Sequence, residues 1–100
     1  ATGDVTAYSD RSLKDDVRPI TDALDKVDQI NGVTFVRNDM DSGARKTGVI
    51  AQDVEAVLPE VVSTDENGIK SVAYGNMVGL LIEAVKELRK EVKTLKGEAS

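Results

Sequence analysis

The last quarter of the chain carries the most regular pattern of apolar positions. Six apolar residues follow one another at alternating spacings of three and four: Val78, Leu81, Val85, Leu88, Val92 and Leu95. We call these six side chains the seam. In a heptad labelled a to g the valines occupy a and the leucines occupy d, which is typical of a coiled-coil helix. From Lys86 onward the helix is polar outside the seam, so we expect it to pack against copies of itself.

The seam predicts a coiled coil, but it does not by itself determine how many chains associate. Glu91 at g and Lys96 at the following e would pair between parallel chains, which favours a parallel assembly. Valine at a with leucine at d favours two strands in isolated peptides, so the seam does not predict a trimer. A single solvated helix that ends the domain is the alternative.

Upstream of this helix, short β-prone runs accompany a short helical pattern. Residues 33–37 and 44–50 predict one hairpin, and residues 60–64 and 69–73 flank an Asp-Glu-Asn-Gly turn and predict a second. Between the two hairpins, residues 51–58 predict a two-turn helix that ends at a proline.

Two further helices are predicted nearer the N-terminus. Ser12 and Asp15 resemble a capping box, so a short helix is expected to follow directly. A second helix is expected from Thr21 to the Asn31-Gly32 dipeptide. The whole pattern predicts an α+β fold, a small domain of mixed helices and short β-hairpins that ends in a long C-terminal helix.

The composition narrows the chemistry that such a domain can perform. The chain has 100 residues, no histidine, no cysteine and only 3% aromatic residues, so we expect one domain with a thin aliphatic core. It therefore contains no Ser-His-Asp triad, no cysteine nucleophile and no His/Cys metal site, and we expect no cofactor. A net charge of −5 argues against a nucleic-acid partner. No run of about 18 apolar residues indicates a membrane span.

A serine and a lysine remain as candidate nucleophile and base. The composition changes abruptly at Ser9, where the small, nearly uncharged residues 1–8 give way to a highly charged segment that contains Lys14. A lysine can activate a hydroxyl if burial or a neighbouring cation makes its amine neutral, and Arg11 and Arg18 are close in sequence. The plain alternative is a capped, solvated helix start.

The spacing of Ser9 and Lys14 sets a geometric condition. On one helix the two side chains would lie about 140° apart, and on a strand they would point to opposite faces. The pair therefore needs a turn between its members, or Ser9 outside a helix that contains Lys14, or a contact between neighbouring chains. A cation site at Asp39, Asp41 and Asp53 is a weaker possibility, because turn chemistry explains these residues.

Three ordered blocks of sequence resemble one known family. They are SDRSLKDDV at 9–17, GVIAQDVEAVLPEVV at 48–62 and VAYGNMVGLLIEAVKEL at 72–88. These blocks are similar to the C-terminal intramolecular chaperone domains of phage tailspikes, neck appendages and tail fibres, which are the endosialidase-type self-cleaving peptidases. The resemblance covers nearly the whole chain from Ser9 onward.

The resemblance implies an activity and a partner. Domains of this family follow an elongated fibre or spike, assemble as homotrimers, assist folding of the upstream region of the same chain, and then cut the bond before a serine. Carried over, the cut lies between Tyr8 and Ser9. Ser9 would be the nucleophile and Lys14 the general base of a single-turnover serine endopeptidase with a Ser-Lys dyad. Residues 1–8 would be the end of the fibre, and residues 9–100 the chaperone.

The same resemblance implies three chains for the C-terminal helix. Residues 78–96 would form a short parallel trimeric coiled coil with the six seam residues at the interface. The domain would act in the host cytoplasm during virion assembly and be released after cleavage, with the parent fibre on the virion tail. The alternative is a trimerisation cap of a fibrous protein that never cuts, in which Ser9 and Lys14 are inert.

Overall fold

The computed structural model describes residues 6–41 and 43–97, and its architecture is the predicted α+β fold. The helices are α1 (Ala23–Asp28), α2 (Ala51–Val57) and α3 (Val78–Leu95). The strands are β1 (Val33–Val36), β2 (Arg45–Gly48), β3 (Val62–Thr64) and β4 (Lys70–Val72). Short 3-10 helices cover Arg11–Leu13, Pro59–Val61 and Tyr74–Met77.

Both predicted hairpins are confirmed. β1 pairs antiparallel with β2, and β3 pairs antiparallel with β4. In the second hairpin the Asp65 carboxylate accepts hydrogen bonds from the backbone N–H groups of Asn67 and Ile69. Gly68 then turns the chain at a φ of +82°, which glycine adopts without steric cost. The local Asp-Glu-Asn-Gly chemistry therefore fixes this turn, as the sequence predicts.

The core lies where α1, α2 and the first half of α3 meet. Its buried side chains are Ala23, Val54, Leu58, Val61, Met77, Leu80 and Ala84. Val54 on α2 and Leu80 on α3 are fully buried, and full burial of such a side chain contributes about 1.5–3 kcal/mol. The predicted helix over residues 51–58 is confirmed as α2, and it supplies this central valine.

Two predictions near the N-terminus are wrong. The Ser12 capping box does not form, because the Ser12 hydroxyl donates to the Asp10 carboxylate, which itself caps a single 3-10 turn. The second helix begins at Ala23 rather than Thr21, because Asp22 adopts a left-handed backbone conformation with φ +53°. A non-glycine residue in that conformation interrupts a right-handed helix.

The long C-terminal helix is confirmed as α3, and it has two apolar faces. One face packs into the core through Leu80 and Ala84. The seam lies on another face, and its six side chains are between 41 and 86% exposed. Of the helices in residues 6–41 and 43–97, none is both long and apolar enough to cross a membrane.

A carboxylate on α3 ties this helix to α1. The two carboxylate oxygens of Glu87 accept the backbone N–H groups of Leu24 and Ala23, each at 2.9 Å. They act in place of a helix cap, since Asp22 makes no capping hydrogen bond. The bond from Leu24, and then that from Ala23, lowers the pKa of Glu87 below its usual range. The expectation that α3 beyond Lys86 packs only against copies of itself is therefore wrong.

Candidate functional site

The N-terminal arm, which we define as residues 6–19, lies on the surface of the domain. All of its residues are exposed, including the apolar side chains of Tyr8, Leu13 and Val17. Within the described part of the chain, the hydrogen bonds and ion pairs found for arm residues each join two residues of the arm. The local sequence of the arm therefore determines its conformation.

The arm brings Ser9 and Lys14 into contact. The Lys14 Nζ donates a hydrogen bond to the Ser9 Oγ at 3.1 Å. Ser9 precedes the 3-10 turn at Arg11–Leu13, and Lys14 follows it directly. Of the three arrangements that the spacing permits, the structure adopts the one with a turn between the two residues. The distance is within the range from which a hydroxyl can pass its proton to an amine.

Asp10 builds the turn that separates the pair. One carboxylate oxygen of Asp10 accepts both the backbone N–H of Ser12 at 2.8 Å and the Ser12 hydroxyl at 2.7 Å. Both bonds lower the pKa of Asp10 below its usual range, and the bond from the Ser12 hydroxyl has the larger effect. The turn closes with the backbone N–H of Lys14 donating to the Arg11 carbonyl. Asp10 thus shapes the turn between Ser9 and Lys14, which the sequence analysis did not predict, although aspartate is a preferred N-cap residue.

The electrostatic surroundings of the pair are those of an exposed surface. Arg18 pairs with Asp16 at 2.9 Å, so its charge is already compensated within the arm. In the single chain the dyad geometry is present, but the low-dielectric surroundings that a neutral amine requires are not.

The seam is the second exposed feature of the molecule. Its side chains lie on α3 away from the core, and Ile82 beside them is also 52% exposed. An exposed apolar stripe on a chain with 31% charged residues is a candidate interaction surface. The structure therefore leaves all six predicted interface residues accessible to other chains.

The three aspartates that were considered as a weaker cation site do not form one in the described residues. Asp39 forms an ion pair with the Arg37 guanidinium, and a hydrogen bond from the Arg37 Nε to Asp39 measures 2.8 Å. That bond is the main reason why the pKa of Asp39 lies below its usual range. Among the described residues, no three carboxylates or other ligating side chains lie close enough together to hold a metal ion.

The fold and the site together define a small α+β domain that carries a serine–lysine pair on an exposed arm and an exposed heptad seam on its last helix. Residues 9–63 match the model of a family that is named as a peptidase family and described as the chaperone of endosialidase. The chain belongs to the chaperone of endosialidase family. The match begins at Ser9, the residue at which the composition changes.

Similar proteins are long tail fibre proteins of bacteriophages. The chain is 38% identical over 97 residues to the long tail fibre protein Gp37 of Enterobacteria phage K3, covering 90% of this chain and 8% of that protein. It is 30% identical over 109 residues to the Gp37 protein of Salmonella phage S16, and the match covers 93% of this chain and 15% of that protein. It is 35% identical over 101 residues to the Gp37 protein of Enterobacteria phage M1, and the match covers 93% of this chain and 40% of that protein. The chain therefore spans less than half the length of these relatives.

Proposed function

We propose that this chain is an intramolecular chaperone that trimerises behind a phage tail fibre and then releases itself by cutting between Tyr8 and Ser9. Family membership and similarity to long tail fibre proteins support the chaperone role and an association with an upstream fibre region. Residues 1–8 would end the fibre; of these, 1–5 lie outside the described residues and 6–8 are exposed. Assembly would take place in the host cytoplasm, and the parent fibre would be carried on the virion tail.

The observation that carries the peptidase activity is the contact between the Ser9 Oγ and the Lys14 Nζ. The hydroxyl proton moves to the neutral amine of Lys14 while the Oγ bonds to the carbonyl carbon of Tyr8. The C–N bond then breaks as its nitrogen takes the proton back from Lys14, which leaves an ester between Tyr8 and the Ser9 Oγ. Water hydrolyses this ester to a carboxylate on Tyr8 and a free hydroxyl on Ser9. Because nucleophile and substrate belong to one chain, proximity supplies much of the rate.

Assembly of several chains would supply the water-excluded surroundings that Lys14 lacks in the single chain. Packing of other chains over the arm would remove water from Lys14 and favour its neutral form. The exposed seam supplies the driving force for assembly, because burying each half-exposed Val or Leu contributes roughly 1 kcal/mol. Cleavage would then occur only after the chains have been aligned.

The dyad is tested by the mass of the purified chain. We expect the wild-type chain to yield a product that starts at Ser9, and Ser9→Ala and Lys14→Ala to stay intact. Ser63→Ala and Lys46→Ala serve as matched controls, because both residues lie exposed in hairpin strands, and both variants should cleave as the wild type does. Cleavage before residue 9 in either dyad variant would contradict the assignment.

The second candidate function is a trimerisation cap that stays attached. The exposure of Ser9 and Lys14 favours this alternative, since no described part of the single chain shields the pair from water. The two functions differ in one observable, the mass of the assembled wild-type chain. An intact trimer that persists for days would support the cap.

A further inference from the structure

An open apolar cavity lies beside α3, next to the seam. It has a volume of about 250 Å³. Its lining includes Val27 in α1, Ile30 just after α1, Tyr74 and Met77 before α3, and Leu81 in α3. Leu81 is also a seam residue, so the cavity is continuous with the surface that we propose as the trimer interface. A side chain of another copy that packs along the seam would therefore lie close to the opening of the cavity.

Ile82 is an apolar side chain that neither the core nor the seam explains. It is 52% exposed and occupies heptad position e, directly after Leu81. Met77, which lines the cavity, occupies the preceding g position. In a parallel coiled coil each g residue lies next to the e residue of the following heptad on the neighbouring helix. In a parallel assembly that extends this heptad pattern back to Met77, Met77 of one copy would therefore lie next to Ile82 of the next copy.

We propose that Ile82 of one copy fills the apolar cavity beside Met77 of the neighbouring copy. This inference rests on the parallel trimer of the proposed function. The lateral g–e contacts then change along the helix, from apolar at Met77–Ile82 to ionic at Glu91–Lys96. Ile82 is the apolar member of the e positions, and it falls at the level where the neighbouring surface is apolar.

The same contact sets the register of the chains. A shift of one heptad would place the guanidinium of Arg89, the next e residue, against the apolar cavity, and burying an unpaired charge there is unfavourable. Register matters for a chaperone of this kind, because chains that are aligned at α3 deliver their upstream segments in alignment.

The test is an isotope-filtered NOE experiment on trimers refolded from equal amounts of ¹³C-labelled and unlabelled chains. We expect cross-peaks between chains from the Ile82 methyl groups to the Met77 methyl and the Tyr74 ring. Cross-peaks between chains that arise from the seam but not from Ile82 would overturn the cavity contact and leave the trimer standing. A monomeric mass with no cross-peaks between chains would instead overturn the proposed function.

A pair of variants gives an independent readout. Ile82→Asn should raise the concentration at which half of the chains are trimeric about tenfold or more. Ile69→Asn is the matched control, because Ile69 is an exposed isoleucine in the second hairpin, outside α3, and it should change that concentration less than twofold. Equal effects of the two variants would overturn the contact. Both side chains are exposed in the single chain, so neither change removes a core residue.

Discussion

The N-terminal arm and α3 expose apolar or reactive groups for different reasons. The arm is exposed along its whole length and is ordered by bonds between its own residues, such as that between Asp10 and Ser12. α3 is anchored in the core by Leu80 and Ala84, and it exposes the seam on another face. The arm thus carries the contact between Ser9 and Lys14 without a protected environment, and α3 carries an apolar stripe that the described chain leaves exposed. The difference is the basis for our proposal that assembly through α3 completes the site on the arm.

The largest effect is expected when α3 loses its seam. Leu88→Asp places a charge in the centre of the seam, where burial of an unpaired carboxylate is strongly unfavourable. We expect monomers by sedimentation and a fall in cleavage of at least about a hundredfold. Lys90→Asp, at an exposed f position on the same helix, should leave both unchanged. An unchanged trimer mass in Leu88→Asp would contradict the proposed coiled coil.

The next largest effect separates the chemistry of the arm from assembly. Lys14→Arg keeps the positive charge and a hydrogen-bond donor, but a guanidinium is not deprotonated in proteins and so cannot act as a base. We expect cleavage to be lost by mass spectrometry, with the trimer mass preserved. If Lys14→Arg cleaved like the wild type, Lys14 would act through its charge and not as a base.

A smaller effect is expected from the residue that shapes the arm. Asp10→Ala removes the acceptor that holds the turn between Ser9 and Lys14, and misplacement of a catalytic pair by about 1 Å can cost up to a hundredfold. We expect cleavage to slow about tenfold or more, with the melting temperature unchanged. Asp10→Asn retains a carbonyl oxygen and should restore most of the rate. A rate in Asp10→Ala equal to the wild-type rate would show that the turn does not position the dyad.

The smallest effect concerns the anchor of α3 rather than its seam. Glu87→Gln weakens the cap on α1, and we expect the melting temperature at pH 7 to fall by about 4–8 °C, the shift that loss of one helix cap produces in a domain of this size. Glu83→Gln, which removes an exposed surface pair with Lys86, is the control and should shift it far less.

The pH dependence of the same variant has a definite sign. The pKa of Glu87 is lower in the folded chain than in the unfolded chain, so its stabilisation is complete above the unfolded value of about 4.3 and is lost as the pH falls through the lower folded value. The difference in melting temperature between wild type and Glu87→Gln should therefore shrink below about pH 4. A difference that is the same at pH 7 and pH 3 would exclude the ionised cap.

Local signals account for what the sequence predicts correctly. The Asp65-to-Gly68 turn and the three-four spacing of α3 lie within single elements, so residues close in sequence determine them. The hairpins and α3 are accordingly found where expected. The spacing of Ser9 and Lys14 likewise limits the pair to a few arrangements, one of which is observed.

Contacts between distant residues account for what the sequence does not predict. Glu87 caps α1 across 64 residues, and no pattern near either partner indicates the contact. The left-handed conformation of Asp22 makes α1 begin two residues later than predicted, and no apolar spacing in the sequence indicates it. In the arm, Asp10 and Ser12 can both cap, and only the folded geometry shows that Asp10 does so.

The central claim is that assembly of α3 switches on cleavage at Ser9. It is tested most directly by following the cleavage rate of the wild-type chain across a dilution series, with the trimer fraction measured by sedimentation in the same samples. We predict that the rate per chain rises with the trimer fraction and vanishes where the chain is monomeric. A rate per chain that is the same in monomer and trimer would contradict the account.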